Sequence, residues 1–475
     1  MMGKVRQGFF NLFKPFIQID RSERVKLALL TAVYFLVIAS YTLVKELKDS
    51  IFMTVVGNEY LPVVKTVAIA AMVPSIMLYA FLVDRVRRYQ LLALYSVIYG
   101  LFGLMFVYFI GHPTIGLANT VSGYQRIFGW VYYFFIEGYS PFIVGVFWAF
   151  SNSITSPDAA KKNYGLMVAG SKLGGLSSAL LAWYFLSPTV LQLSDVAKHQ
   201  VLSAASAGLL LLVPLVIWVL TKKVPGRYLH GYEAAYQLEK EKAKSTKEKM
   251  GIMEGFQLLI QHPYVLGIFG YIFFYEVGYA VLDYQRKCLI SNCVSGIGGL
   301  SRELFWQVFL VHTIGCIISL VGTSALMRKL GERRCLLLVP IVSGLLFTYF
   351  VFTNTLSAMV IVFVGLRAIN YGFSYPVRES LYIPTIKDIK FKSKSWIDAF
   401  GIKFAKGCGA GLRVTALRVL ANFGESAFVA INGAFLLAIV ACWTVTAFLL
   451  GKRFQKAIDN NEVIGAENST PGANV

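Results

Sequence analysis

The chain has 475 residues, 56% of them hydrophobic and 15% charged, with a mean hydropathy of +0.62 and a formal net charge of +20. Soluble proteins carry about 25% charged residues, so the composition excludes a soluble globular domain and indicates a polytopic membrane protein. So basic a soluble chain would suggest nucleic acid; here the retention of Lys and Arg on the cytoplasmic side of a bilayer accounts for most of the excess, and no nucleic-acid partner is expected.

The N-terminal MMGKVRQGFFNLFKPFIQIDRSER has no long apolar run and no small-residue cleavage site. It reads as a basic amphipathic stretch on the membrane surface rather than a signal peptide. Segments of about 20 mostly apolar residues, the length a spanning helix needs, follow at 27–49, 62–83, 90–111, 127–150, 163–186, 200–221, 263–286, 303–326, 335–353, 356–378, 396–420 and 428–451. Basic clusters fall in alternate loops and at both ends (DRVRRYQ, Lys161–Lys162, 222–249, RKLGERR, KDIKFKSK, GKRF), while loops such as GHPTIGLANTVSGYQ and NFGES carry few. Both termini are therefore expected in the cytoplasm.

The expected fold is all-α, with twelve transmembrane helices in two six-helix halves, a layout common among secondary transporters. The divisions are a basic N-terminal segment (1–26), a first bundle (27–221), a cytoplasmic linker (222–262), a second bundle (263–451) and a tail (452–475).

Ionisable residues inside spans are costly and mark substrate paths. Lys45 and Asp49 share a helix face, Lys48 lies beside them, and Lys65 follows Pro62 at the start of the second span. Two placements are open for these four: the outer interface, or the wall of a cavity. Glu137, in FFIEGYSPF, is likewise either solvated or path-lining. In span 7, Glu276, Asp283 and Lys287 recur at i, i+7 and i+11, which returns to one stripe of a 3.6-residue helix. Span 10 carries Arg367 and Arg378 with Asn370 and Ser374 on the same stripe; span 11 carries Lys403, Lys406 and Arg413 around the glycines of KGCGAG. These residues make a basic core suited to a multiply charged anion, with Lys as point charge and Arg as bidentate fork for phosphate.

Other chemistry finds little support. Six cysteines include no CxxC pair, and five histidines include no HExxH, so neither a metal nor a cofactor is expected. Cys288 and Cys293 leave a disulfide open. GLMVAGSK (165–172) has P-loop spacing but ends Ser-Lys and lies within a span, not after a strand.

VKELKDSIFMTVVGNEYLPVVKT resembles the signature of the nucleotide transporter family, the ATP/ADP translocases of plastids and intracellular bacteria, through Lys45, Lys48, Asp49, Thr54, Gly57, Glu59, Lys65 and Thr66. FWAFSNSITSPDAAKKNY is similar to the segment after that family's span 4, YEVGYAVLDYQRK to its span 7, and RESLYIPTIKDIKFKSKSWIDAFGIKFAKGCGAG to its spans 10 and 11. The resemblance implies a major-facilitator-like fold and nucleotide transport, with transport-critical charges at Lys65, Glu137, Asp283 and Lys406. Departures fall around the expected cavity: Asp283 replaces Glu, Asn370 and Tyr375 replace a Lys and an Asp, Arg413 replaces a polar neutral residue, and Glu137 aligns only across a one-residue deletion.

The function expected is therefore ATP/ADP exchange by alternating access, with ATP, ADP or other nucleotides as substrates and the bilayer as the only other partner; no obligate protein partner is evident. Substrate-binding roles are expected at Lys45, Lys48, Lys65, Glu137, Asp283, Lys287, Arg367, Lys403, Lys406 and Arg413, and charge pairing at Asp49 (with Lys45) and Glu276. The alternatives are a proton-coupled symporter of nucleotides or another phosphorylated anion, and, from another class, an enzyme acting on a lipid-linked phosphate, for which no acid/base cluster is found. The expected location is a bacterial inner membrane, with a plastid-type membrane as the alternative.

Overall fold

The structure, a computed structural model, describes residues 20–83, 86–155, 157–224, 252–319, 324–353, 355–386, 389 and 393–465. The amphipathic N-terminal stretch, most of the linker and the end of the tail lie outside the described residues. A chain in lipid must satisfy its backbone internally, and helix accounts for nearly all that is described. The helices are α1 (Arg21–Val55), α2 (Leu61–Val83), α3 (Arg88–Gly111), α4 (Ile127–Glu137), α5 (Gly145–Ser153), α6 (Pro157–Phe185), α7 (Asp195–Lys223), α8 (Ile252–Gln261), α9 (Pro263–Cys293), α10 (Gly296–Ile318), α11 (Ser324–Thr353), α12 (Leu356–Ile369), α13 (Tyr375–Ser380) and α14 (Ile402–Asp459).

Eight helical stretches among the described residues are long and apolar enough to cross a membrane: Arg21–Val55, Arg88–Gly111, Ile127–Ser151, Asp195–Lys223, Pro263–Cys293, Lys329–Thr353, Leu356–Ser380 and Gly433–Asp459. The chain is an all-α polytopic membrane protein. The other expected spans fall on α2, α6, α10 and the first part of α14. NFGES, expected as a loop, is helical within α14; it holds one glycine and no proline, so nothing in it obliges the helix to stop.

Local sequence sets the helix ends. Asp20, Ser194 and Thr355 cap α1, α7 and α12 by accepting from Ser22, Ala197 and Ala358 backbone amides, each satisfying an orphan donor. Gly57, at φ 128°, makes the turn from α1 to α2, and Gly331, at φ 73°, divides α11. Two spans carry a π-turn beside a proline: Ser140–Val144 contains Pro141, and Asn370–Ser374 runs into Pro376. Such turns widen the helix and re-aim the side chains around them.

The described chain forms two compact units. The first comprises residues 1–248 and 288–313; the second comprises 249–287 and 314–475. In the first, α1 packs on α6 and α7. Gly170 and Gly174 permit the α1–α6 approach: a Cβ at Gly174 would lie 2.6 Å from the Phe35 carbonyl oxygen, and one at Gly170 would lie 2.3 Å from Thr31 Cγ2. Gly170, in the P-loop-like segment, and Gly174 just beyond it thus make a small-xxx-small packing face inside a helix. Ser40 and Ser206 join α1 to α7 with their hydroxyls 2.7 Å apart. Such bonds average about 0.6 kcal/mol in a bilayer, so close packing carries more of the association than they do.

In the second unit Tyr271 and Tyr275 pack their rings on Trp443, and Tyr264 Oη donates to the Leu381 carbonyl at 2.7 Å. After α14 the chain returns to the loop following α13: Ile464 N donates to the Pro384 carbonyl at 2.7 Å and Ile386 N to the Ile464 carbonyl at 3.1 Å. A bidentate pair between Arg453 and Glu462 fixes that return and holds the Glu462 carboxyl below its ordinary range.

Candidate functional site

The charges singled out in the sequence gather in two clusters, one in each unit. In the first unit, Lys48 is 6% exposed on the last turns of α1. Its Nζ donates to Glu137 Oε2 at 2.6 Å, lies 3.6 Å from Asp49 Oδ1, and sits 3.9 Å from the centre of the Tyr133 ring. Glu137 is the last residue of α4 and Gly138 opens the approach to the π-turn; a Cβ at Gly138 would meet Tyr99 Oη at 2.5 Å. Lys45 Nζ pairs with Glu46 at 3.1 Å. The i, i+4 spacing suggests Lys45 with Asp49; the structure records Lys45 on Glu46 and Asp49 on Lys48. Lys65 is half-buried near the start of α2.

In the second unit, Asp283 holds two cations. Its Oδ2 accepts from Lys287 Nζ at 2.6 Å and its Oδ1 from Arg286 Nη2 at 2.8 Å. All three side chains are almost fully buried. The Arg286 guanidinium also stacks 3.7 Å over Phe363. Arg367 ends α12 between two rings, 4.4 Å from Tyr279 and 4.7 Å from Tyr371. Glu276, buried on α9, lies 3.7 Å from Lys406 Nζ, whose side chain is 44% exposed. Lys403 is half-buried one turn before Lys406. The backbone of Arg413 is helical, but its side chain lies outside those described.

Sequence reasoning misses four partners. Glu137 is remote from Lys48 in the chain, and no pattern singles out Tyr133 or Phe363. Arg286 stands in an i, i+3 relation to Asp283 that is visible in the sequence. The charge balance also differs between the clusters: in the first, Glu46, Asp49 and Glu137 equal Lys45, Lys48 and Lys65 in number, whereas in the second Arg286, Lys287, Arg367, Lys403 and Lys406 outnumber Glu276 and Asp283. Among the described residues no group of three or more His, Cys, Asp or Glu could hold a metal, and no disulfide joins any of the six cysteines.

The family model described as TLC ATP/ADP transporter matches residues 2–454. The chain is 21% identical to ADP,ATP carrier protein 1 of Rickettsia bellii, an alignment covering 94% of this chain and 96% of that one. It is 23% identical to the chloroplastic ADP,ATP carrier protein 2 of Arabidopsis thaliana, over 92% of this chain and 76% of that one. A crystal structure of a D-xylose-proton symporter superposes with a TM-score of 0.60 at 14% identity, covering 91% of this chain and 97% of that one. That likeness establishes the major-facilitator-like fold.

Proposed function

The chain belongs to the TLC ATP/ADP transporter family, and we propose on that basis that it exchanges ATP for ADP across a membrane by alternating access through a basic cavity. It is a transporter and not an enzyme. The observation that carries the exchange reading is the pair of buried Lys48 with half-buried Glu137. A lysine already neutralised by a carboxylate binds phosphate only when the carboxylate yields. Binding then changes the contacts between helices, which is what a substrate must do to drive a conformational change. Asp283, shared by Arg286 and Lys287, supports the same logic in the second cluster.

In this reading Lys45, Lys48, Lys65, Lys287, Arg367, Lys403, Lys406 and Arg413 engage phosphate, while Asp49, Glu137, Glu276 and Asp283 hold the cations in the empty state. Two six-helix halves, one on each side of the linker, rock about the site. The membrane is a bacterial inner membrane with both termini in the cytoplasm.

The alternative reading is proton-coupled uptake of nucleotides or of another phosphorylated anion. Uptake of labelled ATP into intact Escherichia coli expressing the protein separates the two. Exchange gives rapid loss of label on adding external ADP and no response to an uncoupler; symport gives accumulation that the uncoupler abolishes. No uptake of any nucleotide, with the protein present in the membrane, overturns both.

A further inference from the structure

Two helices change unit along their length. Residues 263–287 of α9 belong to the second unit and 288–293 to the first; α10 divides between 313 and 314. The stretch 288–313 is therefore packed within the first unit while both its ends continue into the second.

A ladder of polar contacts, all within the first unit, holds this stretch. Asn58 Nδ2 donates to Ser291 Oγ at 3.1 Å. Gly298 N, in the first turn of α10, donates to the Asp195 carboxylate at 3.0 Å. Asp195 thereby satisfies an amide the helix leaves open and sets a negative charge at the positive end of its dipole. One turn further along both helices, Ser301 Oγ lies 2.8 Å from His199 Nε2 and 2.7 Å from Ser50 Oγ. His199 Nδ1 is 2.6 Å from the Asp195 carbonyl, which can only accept, so Nδ1 donates. Nε2 faces Ser301 Oγ, which in turn donates to Ser50 Oγ. His199, Ser301 and Ser50 are all 0% exposed, which rules out reading Ser301 and His199 as a nucleophile and its base. Beyond them the Trp183 and Trp306 rings meet at 4.9 Å.

These contacts suit a joint that opens. Interhelical hydrogen bonds are individually weak in a bilayer, and an amide cap re-forms without rearranging its helix. Ser50 stands beside Asp49 and one turn after Glu46, in the charged stretch of α1 that pairs with Lys45 and Lys48.

We propose that Asp195, His199, Ser301, Ser50, Asn58 and Ser291 form a reversible clasp, and that each transport cycle requires it to release the stretch 288–313 from the first unit. The cycle rests on the exchange reading above; the clasp rests on its own contacts.

A Cβ at Gly298 would lie 2.6 Å from Asp195 Cγ, so cysteines at the two positions are close enough to bridge. The full-length Asp195→Cys/Gly298→Cys variant, with the native cysteines replaced, is oxidised in membranes and assayed for labelled ATP uptake before and after reduction. The expected result is a disulfide that lowers uptake at least ten-fold, with reduction restoring the rate of the same variant never oxidised. A bridged protein that transports at the reduced rate, or cysteines that fail to bridge, would overturn the clasp. Asn58→Cys/Ser291→Cys repeats the test if the first variant lacks uptake when reduced.

Wild-type uptake is measured alongside, and its absence counts against the exchange reading alone. A readout independent of transport then decides the clasp. Ser301→Cys should react slowly with a water-soluble maleimide as the clasp opens. Complete protection, under conditions that label the exposed Cys293, contradicts opening.

Discussion

Lys48 and Glu137 stand 89 residues apart in the chain and 2.6 Å apart in the first unit, joined by a charge-assisted hydrogen bond beneath the Tyr133 ring. Lys48 is buried, Glu137 is half-buried, and Asp49 stays 3.6 Å from Lys48 Nζ when Glu137 is changed, so the loss is that of one charged hydrogen bond, about 1–3 kcal/mol. Glu137→Gln is therefore expected to lower thermal stability in detergent by about 1–3 kcal/mol and to abolish uptake. Lys48→Met/Glu137→Gln should recover most of the stability and none of the transport. Equal recovery of both would make the pair purely structural.

Asp283 is the carboxylate on which Arg286 and Lys287 converge. Asp283→Asn leaves two buried cations without that charge and is expected to be the most damaging single change in the second unit, by about 3–5 kcal/mol. Asp283→Glu keeps the charge with one more methylene and should retain the fold and most uptake. Melting temperature and uptake rate, measured on the same preparations, check both.

Lys406 presents the opposite balance. Its side chain is 44% exposed and its contact with Glu276 is 3.7 Å, so the pair contributes at most about 1 kcal/mol to stability. A charge-assisted hydrogen bond to phosphate contributes about 1.5–3 kcal/mol. Lys406→Ala is thus expected to leave the melting temperature nearly unchanged and to raise the KM for ATP by about ten-fold or more. Lys406→Arg should restore part of the loss and Lys406→Gln none.

These contrasts mark where sequence reading succeeds. The all-α, membrane-spanning class follows from hydropathy, because a bilayer penalises charge and unpaired backbone strongly, whereas the loop expected at NFGES is helical. Asp283 with Lys287 was legible because i, i+4 neighbours share a helix face. Glu137 with Lys48 was not, since the meeting of α4 with α1 leaves no local periodicity. The contact of Lys45 with its neighbour Glu46 at 3.1 Å is one that helix periodicity does not select, since i, i+1 residues do not share a face. The π-turns beside Pro141 and Pro376 leave no mark in the hydropathy pattern.

Gly174 faces a backbone carbonyl that cannot move aside. Gly174→Ala is expected to cost about 1–3 kcal/mol through overpacking, read as a lower melting temperature in detergent. At Gly208, on α7, a Cβ would meet nothing within 4 Å, so Gly208→Ala should change stability by no more than about 0.5 kcal/mol.

The central claim, obligatory exchange through cations held by carboxylates, is tested most directly in proteoliposomes containing the purified protein. Uptake of labelled ATP is compared between vesicles preloaded with ADP and vesicles loaded with buffer, with and without an imposed proton gradient. The account predicts uptake only into ADP-loaded vesicles, indifferent to the gradient. Accumulation in buffer-loaded vesicles that follows the proton gradient would contradict it.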